Sequence, residues 1–200
     1  MFALIRNFII TCSLLCCCAI TLAADSDHLL QIYRHLHQHP ELSLQEHDTA
    51  AYLAQQLKAS GYEVTTGIGG NGLVALLRNG DGPTVLYRTD MDALPVEERT
   101  GLPFSSKVTA VNAAGETVPV MHACGHDIHM TVLLGVAEQM QKTRDQWHGT
   151  LLLVAEPAEE IGAGAKKPVP PTDTIGMSAV VFPVHGATTS TPTVSLTIAE

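Results

Sequence analysis

The sequence predicts an α/β fold, a sheet covered on both faces by helices. Three observations carry this. Segments with apolar residues at helical spacing alternate with short apolar runs. Several of those runs are apolar almost without interruption, as strands buried on both faces are. The breaks between them collect Gly, Pro, Asn and Asp. At 200 residues the chain holds one domain, or one domain and part of another.

The opening stretch MFALIRNFIITCSLLCCCAITLAADSD places one basic residue, Arg6, before an apolar run that ends in small residues at Ala23 and Ala24. This is the layout of a secretory signal peptide over residues 1–24, with residues 25–200 as the mature, exported chain, periplasmic or secreted. A retained anchor suits the run less well, because it is short and ends in small residues. Cys16, Cys17 and Cys18 invite a lipoprotein reading, but each follows leucine or cysteine where a small residue is expected.

Downstream, SDHLLQIYRHLHQHPELS starts with a Ser/Asp cap and continues with Leu29, Leu30, Ile32, Tyr33 and Leu36 at helical spacing until Pro40. His35, His37 and His39 read as an exposed helix end without a function. A second helix runs from about His47 through TAAYLAQQLKASGY, with Leu53 and Leu57 as an i,i+4 pair and Gly61 as its C-terminal punctuation. YEVTTGI, GLVALLRNG and PTVLYRTD read as strands, and NGDG at 79–82 predicts a hairpin or tight turn between the last two. Residues 93–119 read as a Gly/Pro-containing loop. HDIHMTVLLGVAEQMQKTRDQW is a long amphipathic helix, and GTLLLVAEPAEE a buried strand running into acids. KKPVPPTDT is a Pro-rich connector, and MSAVVFPVHG a further strand ending at His185.

Composition narrows the function classes. Four of the five cysteines lie in the signal segment, which leaves Cys124 alone in the mature chain with no internal disulfide to form. The net charge of −9 becomes about −10 once Arg6 is removed, and so acidic a chain is a poor nucleic-acid binder. No membrane partner is expected after signal cleavage.

The polar residues collect at strand ends. PTVLYRTDMD finishes on Asp90 and Asp92, GTLLLVAEPAEE on Glu156, Glu159 and Glu160, and SAVVFPVH on His185. In open α/β sheets the functional crevice lies beyond the carboxyl ends of the strands, so these groups can converge. HACGHD would join them at a helix start. Cys124 and His126, with Gly125 between, can aim a thiolate and an imidazole at one place, a donor set that suits zinc or a similar divalent ion. No second Cys-x-x-Cys motif exists for a structural zinc finger. The acids fit a catalytic cluster of one or two metals better, with one of Glu159 and Glu160 on metal and the other taking a proton from water. Taken singly, each piece has a plainer reading. Cys124 would be a small buried hydrophobe, Glu159–Glu160 a solvated loop, and Asp90 and Asp92 turn formers. His122 and His129 either face solvent or orient neighbours.

LHQHPELSLQE, YRTDMDALPVEERTGLPFSS, VMHACGHDIHM and PAEEIGAGAK resemble, in order and at family spacing over roughly residues 29–167, successive motifs of the M20 metallopeptidase clan. More closely they resemble its amidohydrolase branch of hippurate hydrolases, N-acyl amino acid amidohydrolases and auxin-conjugate hydrolases. The resemblance implies a zinc-peptidase-like catalytic domain with a mixed sheet flanked by helices. It also implies two divalent metals, zinc or manganese foremost, with cobalt or nickel also compatible with the ligands. Carried over by motif, Cys124 is the bridging ligand, His126, Glu160 and His185 are further ligands, Glu159 is the general base, and Asp90 orients the metal centre. The implied partner is a small N-acyl amino acid.

Departures from the pattern bear on the expectation. KPVPPTDTIG is too rich in proline for the helix the family carries there, and Glu156 stands where glutamine is common. GATTSTPTVSLTIAE does not read like the family's continuation. By this resemblance a usual member is about twice as long, and the lid domain, its substrate-binding histidine and the last metal-binding histidine are expected to lie outside the 200 residues ending at Glu200. A homodimer is therefore not expected. The leading reading is a metal-dependent amidohydrolase. The alternatives are an inactive fragment of one and an exported metal-binding protein.

Overall fold

A computed structural model of the protein describes residues 26–164. The segment read as a signal peptide, the Pro-rich stretch, the strand expected over MSAVVFPVHG and His185 lie outside the described residues. The elements follow one another as helix α1 (residues 26–38), α2 (His47–Ala59), β1 (Glu63–Ile68), β2 (Gly72–Asn79), β3 (Thr84–Asp90), β4 (Thr109–Val111), β5 (Thr117–Pro119), α3 (His126–Lys142) and β6 (Gly149–Glu156). Among the described residues no helix is long and apolar enough to cross a membrane.

The main sheet is mixed, in the order β1-β2-β6-β3. β2 runs antiparallel to both β1 and β6, while β3 is parallel to β6 from Thr84↔Thr150 to Asp90↔Glu156. The NGDG segment therefore turns the chain, with Gly80 in the left-handed region, but does not close a hairpin. β6 occupies the position between β2 and β3. Its LLLVA stretch is apolar towards both sheet faces and takes a central place with partners on both edges. The hairpin is instead β1–β2.

All three helices pack on one sheet face. Ile32 and Leu36 of α1, Leu53 and Leu57 of α2, and Met130, Leu133 and Leu134 of α3 share a core with Leu73, Leu77, Leu151 and Leu153. Burial of each such side chain contributes about 1.5–3 kcal/mol. The opposite face forms a smaller cluster of Val74, Leu76, Leu86 and Leu152, to which only strands contribute among the described residues. Helical cover on both faces is therefore not observed among them.

Two further segments differ from expectation. The supposed loop 93–119 contains the β4–β5 ribbon, whose turn is built by Asn112: its Oδ1 accepts the N–H groups of Ala114 and Glu116, both at 3.0 Å. His37 is buried rather than exposed. It lies on α1 four residues after Tyr33, and its ring packs tilted against Tyr33 and edge-on against Phe104.

Candidate metal centre

The parallel pairing of β3 with β6 brings two carboxyl ends together, Asp90 beside Glu156. Arg88 bridges them, its Nη2 2.5 Å from Asp90 Oδ1 and its Nε 2.5 Å from Glu156 Oε2. Burial, with the charges of Glu159 and Glu156 adding to it against Arg88 and His126, pushes the Asp90 carboxyl up to about 6. Burial, which disfavours the charged form, is the largest cause, and Arg88 and His126 oppose it.

Past the strand end, Met91, Asp92 and Ala93 are all buried. The Asp92 carboxylate accepts Ser43 Oγ at 2.6 Å and the backbone N–H groups of Glu159 and Glu160 at 3.2 and 3.0 Å. Burial alone would raise this carboxyl, but hydrogen bonds from His126, Ser43 and Glu160 outweigh it and hold the group below the usual carboxylate range.

His126 opens α3, and Gly125 before it adopts φ +80. That left-handed conformation favours glycine and turns the chain from Cys124 straight into the helix. The imidazole is 3% exposed. Its Nδ1–H donates to the Asp92 carbonyl oxygen at 2.7 Å, with Asp92 Oδ1 at 3.6 Å. In the neutral ring this leaves the lone pair on Nε2, which faces Glu159 Oε2 and Glu160 Oε1, each at 3.9 Å. Burial depresses the imidazole, yet the bonds to Asp92 and the Asp90 charge outweigh it and raise His126 to about 9.

Donor atoms of Asp90, His126 and Glu159 lie within 4.8 Å of one another. Glu160 Oε1 is buried and meets no nitrogen or hydroxyl donor among the described residues. Cys124 is exposed beside these acids; hydrogen bonding to Glu160, then burial, then the charges of Glu160, Glu159 and Asp92 push its thiol up to about 11. A thiol, an imidazole nitrogen and three carboxylates, one of them with a buried oxygen that meets no nitrogen or hydroxyl donor, fit a divalent cation.

The structure thus gathers Asp90, Cys124, His126, Glu159 and Glu160 of the residues singled out in the sequence. It differs on one point: Asp92, not Asp90, makes the hydrogen bonds that orient His126 and the two glutamates. His122 is buried, and neither ring nitrogen has a partner among the described residues; burial lowers it to about 4.

A second buried histidine stands behind the site. His37 Nδ1 meets Asp127 Oδ2 at 2.7 Å, and its Nε2 meets Glu98 Oε1 at 3.1 Å. Burial lowers the ring, but the bonds to Asp127 and Glu98 outweigh it and the net shift is upward. An imidazolium with a carboxylate on each nitrogen pins α1 to the first turn of α3.

Comparison with known proteins places this arrangement. Residues 86–194 match peptidase family M20/M25/M40. The chain belongs to that family. It is 39% identical over 163 residues to the N-acetyl-L-cysteine deacetylase of Bacillus subtilis, covering 81% of this chain and 37% of that one. To the N-acetyldiaminopimelate deacetylase of Limosilactobacillus reuteri it is 46% identical over 147 residues, covering 70% and 35%. Among solved structures it matches the Bacillus subtilis YXEP protein, described as a dinuclear metal binding peptidase from the M20 family. That match has a TM-score of 0.64 at 38% identity over 72% of this chain and 38% of that one. The chain thus spans well under half the length of these relatives.

Proposed function

We propose that this chain carries the metal-binding part of an M20 metal-dependent amidohydrolase that cleaves the amide of N-acyl amino acids or related small conjugates. The observation that carries the reading is the orientation of His126: Nδ1 is committed to the Asp92 carbonyl, and Nε2 faces Glu159 and Glu160. The acyl amino acid relatives support the substrate class.

Cys124, His126 and Glu160, with Asp90 at the edge and His185 from outside the described residues, are the proposed ligands for one or two divalent ions. Bound there, such a cation supplies Lewis acidity, lowering the proton affinity of water and polarising the scissile carbonyl. Glu159, its side chain 42% exposed against 16% for Glu160, reaches solvent and is the proposed base. Its carboxylate takes one proton from the attacking water as oxygen joins the acyl carbon. It then delivers that proton to the amide nitrogen as the C–N bond breaks. Asp92 holds the N–H groups of both glutamates and so fixes where these protons move.

Glu159→Gln tests the assignment. Turnover of N-acetyl amino acids falls at least about 100-fold, the contribution expected of a general base, while bound zinc or manganese is retained. Unchanged turnover removes Glu159 from the mechanism. The proposal includes export: the mature N-terminus, read by mass spectrometry of the expressed protein, falls near Asp25, and a retained Met1 contradicts it.

A further inference from the structure

We propose that Glu46 is a positioning residue for the turn that carries Glu159 and Glu160, forming with Asp92 a two-carboxylate cradle. The inference rests on the functional reading above for its purpose, but not for its geometry.

Three consecutive backbone N–H groups point at these two acids. Ala158 N–H donates to Glu46 Oε1 at 2.7 Å, while Glu159 and Glu160 donate to Asp92 Oδ1 and Oδ2 at 3.2 and 3.0 Å. Ala158 is fully buried and adopts φ +54, a left-handed conformation that alanine rarely takes. Strain of this kind persists only where the surroundings over-determine it, and the acids on three successive N–H groups do so.

Glu46 is an unusual choice for the task. It precedes α2, lies 112 residues from Ala158 in sequence, and has no solvent exposure. Burying a carboxylate is costly unless its oxygens are hydrogen-bonded. Its second oxygen accepts Asn71 Nδ2 at 3.0 Å, from the β1–β2 turn. The start of α2 does not need this side chain, because Glu41 already accepts the N–H groups of Asp48 and Thr49 at 3.1 and 2.7 Å. Glu46 is thus turned away from its own helix and spent on the turn. A carboxylate suits it because both incoming groups are donors and the ionised acid only accepts.

Without Glu46, the Ala158 N–H is buried unpaired and the strained φ loses a tether. Relaxation there redirects the next two residues, whose carboxylates each stand 3.9 Å from His126 Nε2. Small errors of aim matter at a metal site, where outer partners of the ligands set affinity.

The test compares the full-length chain with its Glu46→Ala, Glu46→Gln and Glu41→Ala variants. Three quantities are read: amide hydrogen exchange of residues 157–161 in the metal-free protein, zinc affinity by competition with a chromophoric chelator, and thermal unfolding. Glu46→Ala accelerates exchange at Ala158 and weakens zinc about 10–100-fold, the range typical of outer-partner loss. Glu46→Gln restores both, since its carbonyl accepts the Ala158 N–H and its amide donates to Asn71 once that amide flips. Glu41→Ala lowers the unfolding temperature and leaves exchange at the turn and zinc affinity unchanged. Should Glu46→Ala not fold, Asn71→Ala, which removes only the second anchor of Glu46, shows the same two effects at smaller size. The proposal is overturned if Glu46→Ala keeps wild-type exchange and affinity, or if Glu41→Ala weakens zinc as much. If the wild-type chain takes up no zinc, the functional reading fails, while the exchange comparison still decides the cradle.

Discussion

His126 and His37 are both buried imidazoles flanked by carboxylates, one at the mouth of the sheet and one behind it. His37 spends both nitrogens on acids, Asp127 and Glu98. His126 spends only Nδ1, on a backbone carbonyl, and keeps Nε2 turned towards two glutamates that stand beyond hydrogen-bond distance. The first arrangement has both ring nitrogens hydrogen-bonded and holds the fold. The second leaves Nε2 without a hydrogen-bond partner among the described residues, facing two carboxylates at 3.9 Å. Residue type and burial are the same in both; the count of committed nitrogens separates scaffold from site.

That contrast breaks most visibly at His37. His37→Leu leaves Asp127 and Glu98 buried without their shared cation, and removal of one partner of a buried pair costs about 3–5 kcal/mol. Chemical denaturation should show a loss of that order. A loss under about 1 kcal/mol, the worth of an exposed pair, would mean the acids are solvated.

Asp92→Asn sharpens the other half. The amide cannot accept on both of its terminal atoms, so one of the Glu159 and Glu160 N–H groups loses its partner. Zinc affinity should fall about 10–100-fold with little change in fold, and chelator competition reads it. Asp90→Asn leaves those backbone bonds intact, so amide exchange at Glu159 and Glu160 should stay at the wild-type rate while Asp92→Asn accelerates it.

The smallest effect is a pH dependence. His37 is raised above its ordinary 6.5, so its contribution to stability is fully present below pH 6.5 and is lost as pH rises through the raised value. Glu98 is shifted down, burial being outweighed by bonds from Thr100, Ser106 and His37, so its contribution is present above the ordinary carboxylate value and disappears in acid. The stability gap between wild type and His37→Gln should therefore be widest in mildly acidic solution and narrow towards alkaline pH. A gap that widens with rising pH would show His37 to be neutral in the fold.

Much of this was legible in the chain. Apolar periodicity located the helices, and acids at the ends of apolar runs located the carboxyl edge where Asp90 and Glu156 meet. Strand order was not legible, because NGDG makes the same local turn whether or not its flanking strands pair. The insertion of β6 depends on burial of both its faces, a tertiary property. Asp92 was seen but its part was given to Asp90, since the strand ends at Asp90 and the buried run Met91–Asp92–Ala93 beyond it has no period. His37 did carry a signal: four residues after Tyr33 and beside Leu36, it borders the apolar stripe of α1. Its partners Glu98 and Asp127 lie 61 and 90 residues away, which no local pattern reveals.

The most direct measurement is native mass spectrometry of the full-length chain titrated with zinc and manganese, alongside His126→Ala and His37→Gln. The folded wild type and His37→Gln should take up metal, while folded His126→Ala should lose it. Equal uptake by all three, or none by a folded wild type, would contradict the assignment of the sheet mouth as a metal centre.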